Sequence, residues 1–335
     1  MKSEKKINVL IRTVGGRSRS ENIGLGHIYR IINILDILKP GNTFFMLEDF
    51  GDAKEIVKEK KYTKIINVKK KISLNEDIKI SKRIIKEEKI DLVIIDKYPV
   101  KVKYAREIKK KCKTVVISDL KNISFDADLI INGFIGFENK IIKNSKNVKC
   151  LLGPKFQILN KKFHKKEKTV KKYDLMVTLG GSNEKKIIKI ITDLQKKLNN
   201  LLKIKIILGP AFSNVKKIQK HKNLEFVNKT SNMKKEILSS KFGICGGGIT
   251  TYEFASMNVP FAIISMTNHQ LKTAKEWEKY NVPNLGSIET ISSKKIERVL
   301  KNIINNQNSL KLDFKMTGKG DMIIAREIKK LLFNN

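Results

Sequence analysis

One short stretch places a histidine and an arginine beside two glycines, directly ahead of a helical pattern. It reads NIGLGHIYRIINILDIL and contains Gly24, Gly26, His27 and Arg30, followed by apolar residues at helical spacing. A neutral imidazole accepts protons near neutral pH, so His27 is a candidate general base, and the other three are candidate substrate contacts. One alternative is a glycine turn with a histidine at the helix start. The other, a dinucleotide fingerprint, requires a third glycine where this chain has Arg30, and the insertion at 13–22 lengthens the turn.

A second glycine-rich turn, GICGGGITTYEF, stands between a predicted strand and a predicted helix. The consecutive glycines Gly246, Gly247 and Gly248 are conformationally costly, and an ordinary turn needs only one. Free backbone amides at a helix N-terminus favour anions, so this turn is a candidate site for a nucleotide diphosphate. Glu253 then either accepts hydrogen bonds from ribose hydroxyls or forms a capping box with Thr250.

Two other loops after strands in the second half are nucleotide-binding candidates. The loop TLGGSN contains Gly180, Gly181 and Ser182, which either bind phosphate through backbone amides or form a capping turn. Gly209 ends the next predicted strand, IKIILG. The spacing does not choose between a phosphate loop and a capping turn.

Polar side chains also follow strands elsewhere in the sequence. Asp96 and Tyr98 lie in IIDKYP, Asn132 lies in LIING, and Asn268 and Gln270 lie in TNHQ. Open α/β sheets bind ligands at the carboxyl ends of their strands, so these five residues are candidate substrate contacts. Asp96 is the second choice for the base.

Short β-branched runs alternate with charged helical stretches, which is typical of parallel α/β folds. Strands are expected at 7–12, 42–48, 64–68, 92–96, 114–118 and 127–133, and again at 173–181, 204–209, 224–228, 242–248 and 261–265. Helices are expected at 27–39, 52–60, 76–88, 101–111 and 320–332. The restart of the pattern predicts two doubly wound sheets facing each other, with the functional site in the cleft between them.

The domain boundary is expected in the lysine-rich segment at 150–172, where a Gly-Pro pair interrupts the periodicity. This gives an N-terminal domain at 1–155, a second domain at 168–318 and a C-terminal helix at 319–335 that could cap either domain. A chain of 335 residues is long enough for two cores.

Composition excludes several classes of protein. The net charge of +37 invites a nucleic-acid interpretation, but only eight of the 70 basic residues are arginine, and the lysines are spread along every segment. We therefore expect no specific nucleic-acid partner. Three separated cysteines predict neither a disulfide framework nor a zinc site, and no motif predicts another metal site or a cofactor. The chain has no apolar run of membrane-spanning length and no signal-peptide pattern, so we expect a cytoplasmic protein, monomeric and without an integral membrane segment.

The motifs in their order along the chain resemble a known family. NIGLGHIYRIINILDIL, LVIIDKYPV, LLGPKFQIL, LMVTLGGSN, GICGGGITTYEFASMNVPFAIISMTNHQ and GKGDMIIAREI are similar to the hydrolases of UDP-2,4-diacetamido-2,4,6-trideoxy-β-L-altropyranose in pseudaminic acid synthesis. They are equally similar to the spore-coat polysaccharide glycosyltransferases, and more distantly to the lipid II glycosyltransferase. The family usually has Arg-x-Asp near the end of the first strand, where this chain has Arg12-Thr13-Val14 and the insertion.

The resemblance implies a GT-B fold, with the nucleotide on the C-terminal domain and the sugar facing the N-terminal one. By position, His27 matches the catalytic histidine and Glu253 the ribose ligand. Gly180, Gly181 and Ser182 match the first phosphate loop and Gly247 and Gly248 the second, while Asn268 and Gln270 match sugar or phosphate contacts.

The implied activity is inverting hydrolysis of a UDP- or other nucleotide-activated deoxyamino sugar, for nonulosonate (pseudaminic- or legionaminic-type) or surface polysaccharide biosynthesis. A diphosphate leaves readily when amide donors stabilise its charge, so one base acting on water suffices. Two alternatives stay open. One is a glycosyltransferase in which an acceptor hydroxyl replaces water, and the other is a nucleotide-binding or nucleic-acid-binding protein without catalysis.

Overall fold

The computed structural model describes residues 6–17, 22–60, 62, 64–97, 99–118, 124–138, 148–179, 185–209, 223–228, 230–305 and 311–333. Two compact units divide the chain. The first comprises Met1–Leu159 with Lys319–Asn335, and the second comprises Asn160–Gly318. The first unit therefore reaches Leu159, a little beyond the expected boundary at 155, and includes the C-terminal helix.

The first unit is built on one sheet. Its strands are β1 (Asn8–Arg17), β2 (Asn22–Gly24), β3 (Asn42–Asp49), β4 (Lys64–Asn67), β5 (Leu92–Asp96), β6 (Lys113–Ile117), β7 (Leu129–Asn132) and β8 (Lys149–Leu152). Its first helices are α1 (Gly26–Leu38), α2 (Ala53–Lys58), α3 (Leu74–Glu87) and α4 (Val102–Lys109). The strand order is β4-β3-β1-β5-β6-β7-β8, with β2 antiparallel to β1. The order reverses between β1 and β5, which is where an open α/β sheet binds its ligand.

Apolar side chains cover both faces of this sheet, which is why its central strands read as continuous apolar runs. Successive residues of a strand point to opposite faces. Val9 and Ile11 of β1 pack with α1, whereas Leu10 packs with residues of α3 and α4. The carboxyl ends of β1 and β5 thus emerge from a rigid, close-packed layer.

The described residues of the insertion, 13–17 and 22, lie in the two antiparallel strands of a hairpin. It continues β1 to Arg17 and returns as β2, with Gly16 opposite Gly24. Gly16 has a φ of +126°, and a Cβ there would lie 2.6 Å from the nitrogen of Gly51. Only glycine fits this close approach, and the hairpin delivers the chain to the start of α1.

The second unit repeats the architecture. Its strands are β9 (Tyr173–Thr178), β10 (Ile204–Leu208), β11 (Leu224–Asn228), β12 (Ser240–Gly246), β13 (Phe261–Ser265) and β14 (Asn284–Ser287). Its helices are α5 (Lys185–Lys197), α6 (Met233–Leu238), α7 (Ile249–Ser256), α8 (Asn268–Glu278) and α9 (Ser293–Ile304). All strands are parallel in the order β11-β10-β9-β12-β13-β14, which reverses between β9 and β12. The sequence patterns missed β2, β8 and β14, which are only three or four residues long.

The C-terminal helix α10 (Gly320–Phe333) belongs to the first unit, which settles the choice that the sequence left open. Its Ile324 and Ile328 are fully buried and join the apolar cluster that contains Ile31 and Leu35 of α1. The helix therefore packs beside the helix that carries His27.

We expect Ile328→Ala to lower the free energy of unfolding by about 2–4 kcal/mol, because it removes buried methyl groups and leaves a cavity. Urea denaturation followed by far-UV circular dichroism measures this. Met322, on the same helix and 41% exposed, provides the control, and Met322→Ala should cost less than about 0.5 kcal/mol. Equal costs for the two variants would contradict the packing of α10.

Candidate functional site

His27 and Asp96 meet where the strand order of the first sheet reverses. His27 lies in the first turn of α1, and Asp96 is the last residue of β5. Nδ1 of His27 lies 2.7 Å from Oδ1 of Asp96. The His27 side chain is 14% exposed, whereas the Asp96 side chain is fully buried. The pair therefore has a buried carboxylate behind an imidazole that reaches the surface.

Arg30, one turn further along α1, holds the same carboxylate. Its Nε donates to Oδ2 of Asp96 at 3.1 Å and its Nη2 donates to Oδ1 at 2.6 Å. Burial alone raises the pKa of Asp96, but the charges and hydrogen bonds of Arg30 and His27 outweigh it and bring that pKa below its ordinary value. Asp96 is therefore an acceptor at neutral pH.

An ionised Asp96 fixes the tautomer of His27. The 2.7 Å contact requires a proton on Nδ1, because the carboxylate can only accept. Nη2 of Arg30 also lies 3.0 Å from this Nδ1, and since both atoms then carry hydrogens, that contact is not a hydrogen bond. In the neutral ring with this tautomer, Nε2 carries the lone pair and is the atom that can accept a proton.

The glycines ahead of α1 leave the backbone near His27 uncovered. No described atom lies within 4 Å of a Cβ built at Gly24 or Gly26. Gly24 has a φ of +81°, which accounts for its identity, whereas packing does not account for Gly26. Open space beside a bare backbone agrees with the expectation that a ligand approaches here.

The remaining first-unit candidates occupy different positions. Arg30 and Asp96 are buried and hydrogen-bonded to each other beside His27. Asn132 is also fully buried, and its Oδ1 accepts from the backbone nitrogen of Phe134 at 3.0 Å. Direct contact of these three side chains with substrate stays a prediction. Tyr98 lies outside the described residues.

In the second unit, Gln270 ties the glycine turn to the neighbouring loop. Its Oε1 accepts from the backbone nitrogens of Gly247 at 3.1 Å and Met266 at 2.9 Å. A Cβ on Gly247 would lie 2.9 Å from Cβ of Gln270, so this close approach requires a glycine. Gly248 is the N-cap of α7, and no side chain caps the helix. Gln270 therefore shapes the turn at which a phosphate is expected.

Glu253 has few partners for a carboxyl group in its position on α7. Burial raises its pKa to about 7, and a hydrogen bond with the Thr250 side chain only partly offsets this. Burial also raises the pKa of the nearby Cys245 thiol, and Glu253 adds to that effect. The capping-box expectation is wrong, because Gly248 occupies the N-cap and Thr250 lies inside the helix. Glu253 is thus a carboxyl group that additional hydrogen-bond donors would stabilise in its ionised form.

The other second-unit candidates are only partly described. Asn268 is exposed at the start of α8, whose N-cap is Thr267. Gly209 is buried directly after β10. Gly180, Gly181 and Ser182 lie outside the described residues, so the first phosphate loop stays a prediction.

The part of the chain that the structure describes contains no cluster of three or more His, Cys, Asp or Glu side chains placed to hold a metal ion. Nor does any helix in those ranges have the length and apolar content needed to cross a membrane.

Sequence reasoning missed a cluster of four charged residues on the other face of the first sheet. We call Arg12, Glu48, Asp77 and Lys97 the charge quartet. Nε and Nη2 of Arg12 donate to Asp77 at 2.8 and 2.9 Å, and Nη2 also donates to Glu48 at 2.9 Å. The sequence signal that could have indicated this cluster is a charged residue inside an apolar strand pattern, such as Arg12 or Glu48, or directly after one, such as Lys97. Buried charges require partners, so such residues predict ion pairs.

Comparisons with known proteins agree with this architecture. Residues 175–329 match the glycosyltransferase family 28 C-terminal domain. The spore coat polysaccharide biosynthesis protein SpsG of Bacillus subtilis is 26% identical over 268 residues, covering 75% of this chain and 76% of that protein. An uncharacterized protein of Methanocaldococcus jannaschii is 25% identical over 284 residues, covering 78% of this chain. The match spans only 57% of the length of that archaeal protein.

Solved structures show the same fold at low identity. MurG of Acinetobacter baumannii has a TM-score of 0.69 and 12% identity, covering 96% of this chain and 99% of MurG. The UDP-GlcNAc 2-epimerase of Neisseria meningitidis, solved with UDP-GlcNAc, has a TM-score of 0.57 and 14% identity, covering 97% of this chain and all of that one. Two Rossmann-like domains with these neighbours define the GT-B fold. The chain therefore has the GT-B fold.

The raised pKa of Glu253 predicts a pH dependence of stability. The unfolded carboxyl group, with an ordinary pKa of 4.5, loses its proton before the folded one, whose pKa is about 7. The folded state therefore binds more protons in this interval, and the free energy of unfolding falls as pH rises through it. Glu253→Gln cannot ionise, so it should be more stable than the native protein by about 1–3 kcal/mol at about pH 8, and little different near pH 5.

Urea denaturation at both pH values measures this difference. Glu276→Gln, at a surface ion pair with Lys279 on α8, is the control and should give the same difference from the native protein at both pH values. A pH-independent effect of Glu253→Gln would contradict the assigned desolvation.

Proposed function

We propose that the protein is a nucleotide-sugar hydrolase that inverts the anomeric carbon of a UDP- or other nucleotide-activated deoxyamino sugar. The observation that carries the proposal is the His27–Asp96 contact of 2.7 Å where the strand order of the first sheet reverses. An imidazole with Nδ1 bound to a carboxylate and Nε2 free is arranged as a general base. The open backbone at Gly26 gives the sugar room beside it.

The nucleotide is assigned to the second unit. Support comes from the glycine turn after β12, at the point where the second sheet reverses its strand order, and from the half-buried Glu253 beyond it. Ribose hydroxyls would supply the donors that the Glu253 carboxylate lacks. The UDP-GlcNAc 2-epimerase of Neisseria meningitidis, which has the same fold, was solved with UDP-GlcNAc, and this supports a UDP-sugar as ligand.

In the proposed reaction, a water oxygen forms a bond to the anomeric carbon on the side opposite the diphosphate. Nε2 of His27 takes a proton from that water. The bond between the anomeric carbon and the diphosphate oxygen breaks, and the diphosphate leaves with the electron pair. Because the diphosphate is a good leaving group, no acid is required, in contrast to ordinary glycosidases. The products are a free sugar with inverted configuration and a nucleotide diphosphate.

A glycosyltransferase is the second candidate function. The match of residues 175–329 to a glycosyltransferase domain favours it, as does the likeness to a spore coat polysaccharide biosynthesis protein. An acceptor hydroxyl would replace water and His27 would keep its role. Both candidates belong to nonulosonate or surface polysaccharide biosynthesis in this proposal.

Incubation of the purified protein with a panel of nucleotide sugars, without acceptor, separates the candidates. The panel includes UDP-2,4-diacetamido-2,4,6-trideoxy-β-L-altropyranose and UDP-GlcNAc. Rapid release of free sugar and nucleotide diphosphate in equal amounts supports hydrolysis. Turnover that requires an added polysaccharide or lipid acceptor supports the transferase, and binding without turnover under either condition contradicts both.

We expect His27→Asn to lower kcat by about 10²-fold or more, because the amide cannot accept a proton near neutral pH. Asp96→Asn should also lower kcat strongly, since it removes the acceptor that holds the tautomer. Steady-state kinetics on the best panel substrate measure both. His164→Asn, in a short helical turn of the second unit, is the control and should keep native kcat. Near-native turnover of His27→Asn would exclude His27 as the base.

We expect UDP to bind the native protein more tightly as pH rises from about 6 to about 8, because ribose hydroxyls favour the ionised form of Glu253. Glu253→Gln should bind UDP about tenfold more weakly at the upper pH and lose this part of the pH dependence. Isothermal titration calorimetry measures both proteins under matched conditions. Ionisation of UDP itself contributes equally to the two, so their difference isolates Glu253. Equal affinities across the range would remove Glu253 from the nucleotide site.

A further inference from the structure

Lys97 joins the charge quartet directly behind the base-orienting carboxylate. β5 ends at Asp96, so the strand ladder does not extend to Lys97. Its Nζ instead donates to Oδ2 of Asp77 at 3.1 Å and lies 3.4 Å from Oε2 of Glu48. The side chain of Lys97 therefore fixes the chain directly after Asp96, the strand residue that must stay within hydrogen-bond distance of His27.

Arg12 makes the equivalent attachment on the neighbouring strand. It pairs with Ile95, and the next residue, Thr13, pairs with Asp96. Its Nη1 donates to the backbone oxygen of Thr13 at 2.9 Å. The quartet thus binds β1 through Arg12, which lies opposite Ile95, and the end of β5 through Lys97, which follows Asp96. These side chains lie on one face of the sheet, whereas Asp96 faces α1 on the other.

The quartet is a balanced set of two cations and two carboxylates. Burial alone raises the pKa of Glu48, but Arg12, the backbone nitrogen of Lys71 and the charge of Lys97 together lower it below its usual value. Glu48 and Asp77 are both buried, so losing either cation would leave a buried carboxylate short of a partner. The four side chains therefore hold one another in a fixed geometry.

We propose that Lys97 is a positioning residue for the reaction, which acts by fixing the end of β5 and through it the Asp96–His27 hydrogen bond. This inference rests on the proposed function of His27 as the base. A merely stabilising role would lower the melting temperature without depending on His27. Lys97 is the quartet member suited to a test, because its side chain is 16% exposed whereas that of Arg12 is fully buried.

The test is a double-mutant cycle on the best panel substrate. Lys97→Met should lower kcat by about 10- to 100-fold, because a small misplacement of a catalytic group has effects of this size, and it should leave the Kd of UDP unchanged. Lys97→Arg should restore most of the activity, since it keeps the charge. In the His27→Asn background, Lys97→Met should have no further effect, because the base it positions is absent.

Lys82→Met provides the matched control. Lys82 lies on the same helix as Asp77 but forms its 2.6 Å ion pair with Glu107, outside the quartet, and its loss should leave kcat unchanged. An equal effect of Lys97→Met with and without His27, or an equal effect of Lys82→Met, would overturn the proposal. If His27→Asn retains activity, the result contradicts the proposed role of His27 as the base and not the proposed role of Lys97.

Nuclear magnetic resonance tests the same proposal without any substrate. The Nδ1 proton of His27, bound to Asp96, should give a low-field signal that His27→Asn abolishes. Lys97→Met should shift or broaden this signal, whereas Lys97→Arg and Lys82→Met should preserve it. An unchanged signal in a folded Lys97→Met protein would contradict the proposal, and should that variant fail to fold, Lys97→Gln replaces it in both experiments.

Discussion

The buried carboxylate of Asp96 is the constraint on which the first unit depends. A charge fully removed from water is costly unless partners replace its hydration. Arg30 and His27 do so with three contacts of 2.6–3.1 Å, and both come from the first turns of α1. The position of that helix relative to the end of β5 is therefore fixed by the need to satisfy this charge. The same contacts that stabilise the carboxylate leave one imidazole nitrogen available for proton transfer.

The second unit presents a different solution at the corresponding place in its sheet. There the turn is neutral, and it is held by close approach of Gln270 to Gly247 and not by an ion pair. Its carboxyl group, Glu253, has a pKa near 7 because burial leaves it without sufficient partners. The first unit thus has a buried charge whose partners are its own side chains, whereas burial keeps the pKa of the Glu253 carboxyl group in the second unit above its ordinary value.

In the proposed reaction, a sugar is separated from a nucleotide diphosphate. The leaving group needs stabilisation of negative charge, which glycine amides at a helix start would supply. The nucleophile needs a base whose geometry is set before the substrate arrives, which the buried carboxylate and the rigid strands behind it would supply. The charge quartet extends that rigidity to the opposite face of the sheet, where the residue following Asp96 is bound.

Local features could be predicted from neighbouring residues. Apolar strand runs, helical spacing and glycine turns predicted the two sheets, the glycine-rich turns indicated His27 and Glu253 as candidates, and the polar residue at the end of a strand indicated Asp96. These features depend on a few neighbouring residues. Only the tertiary structure decided the pairings between distant ones: Asp96 with Arg30 and His27, Arg12 with Asp77, and Gln270 with Gly247. Whether a polar side chain faces a ligand or a buried partner depends on which strands become neighbours and on which face each residue falls, and the strand order is set by packing across the whole unit.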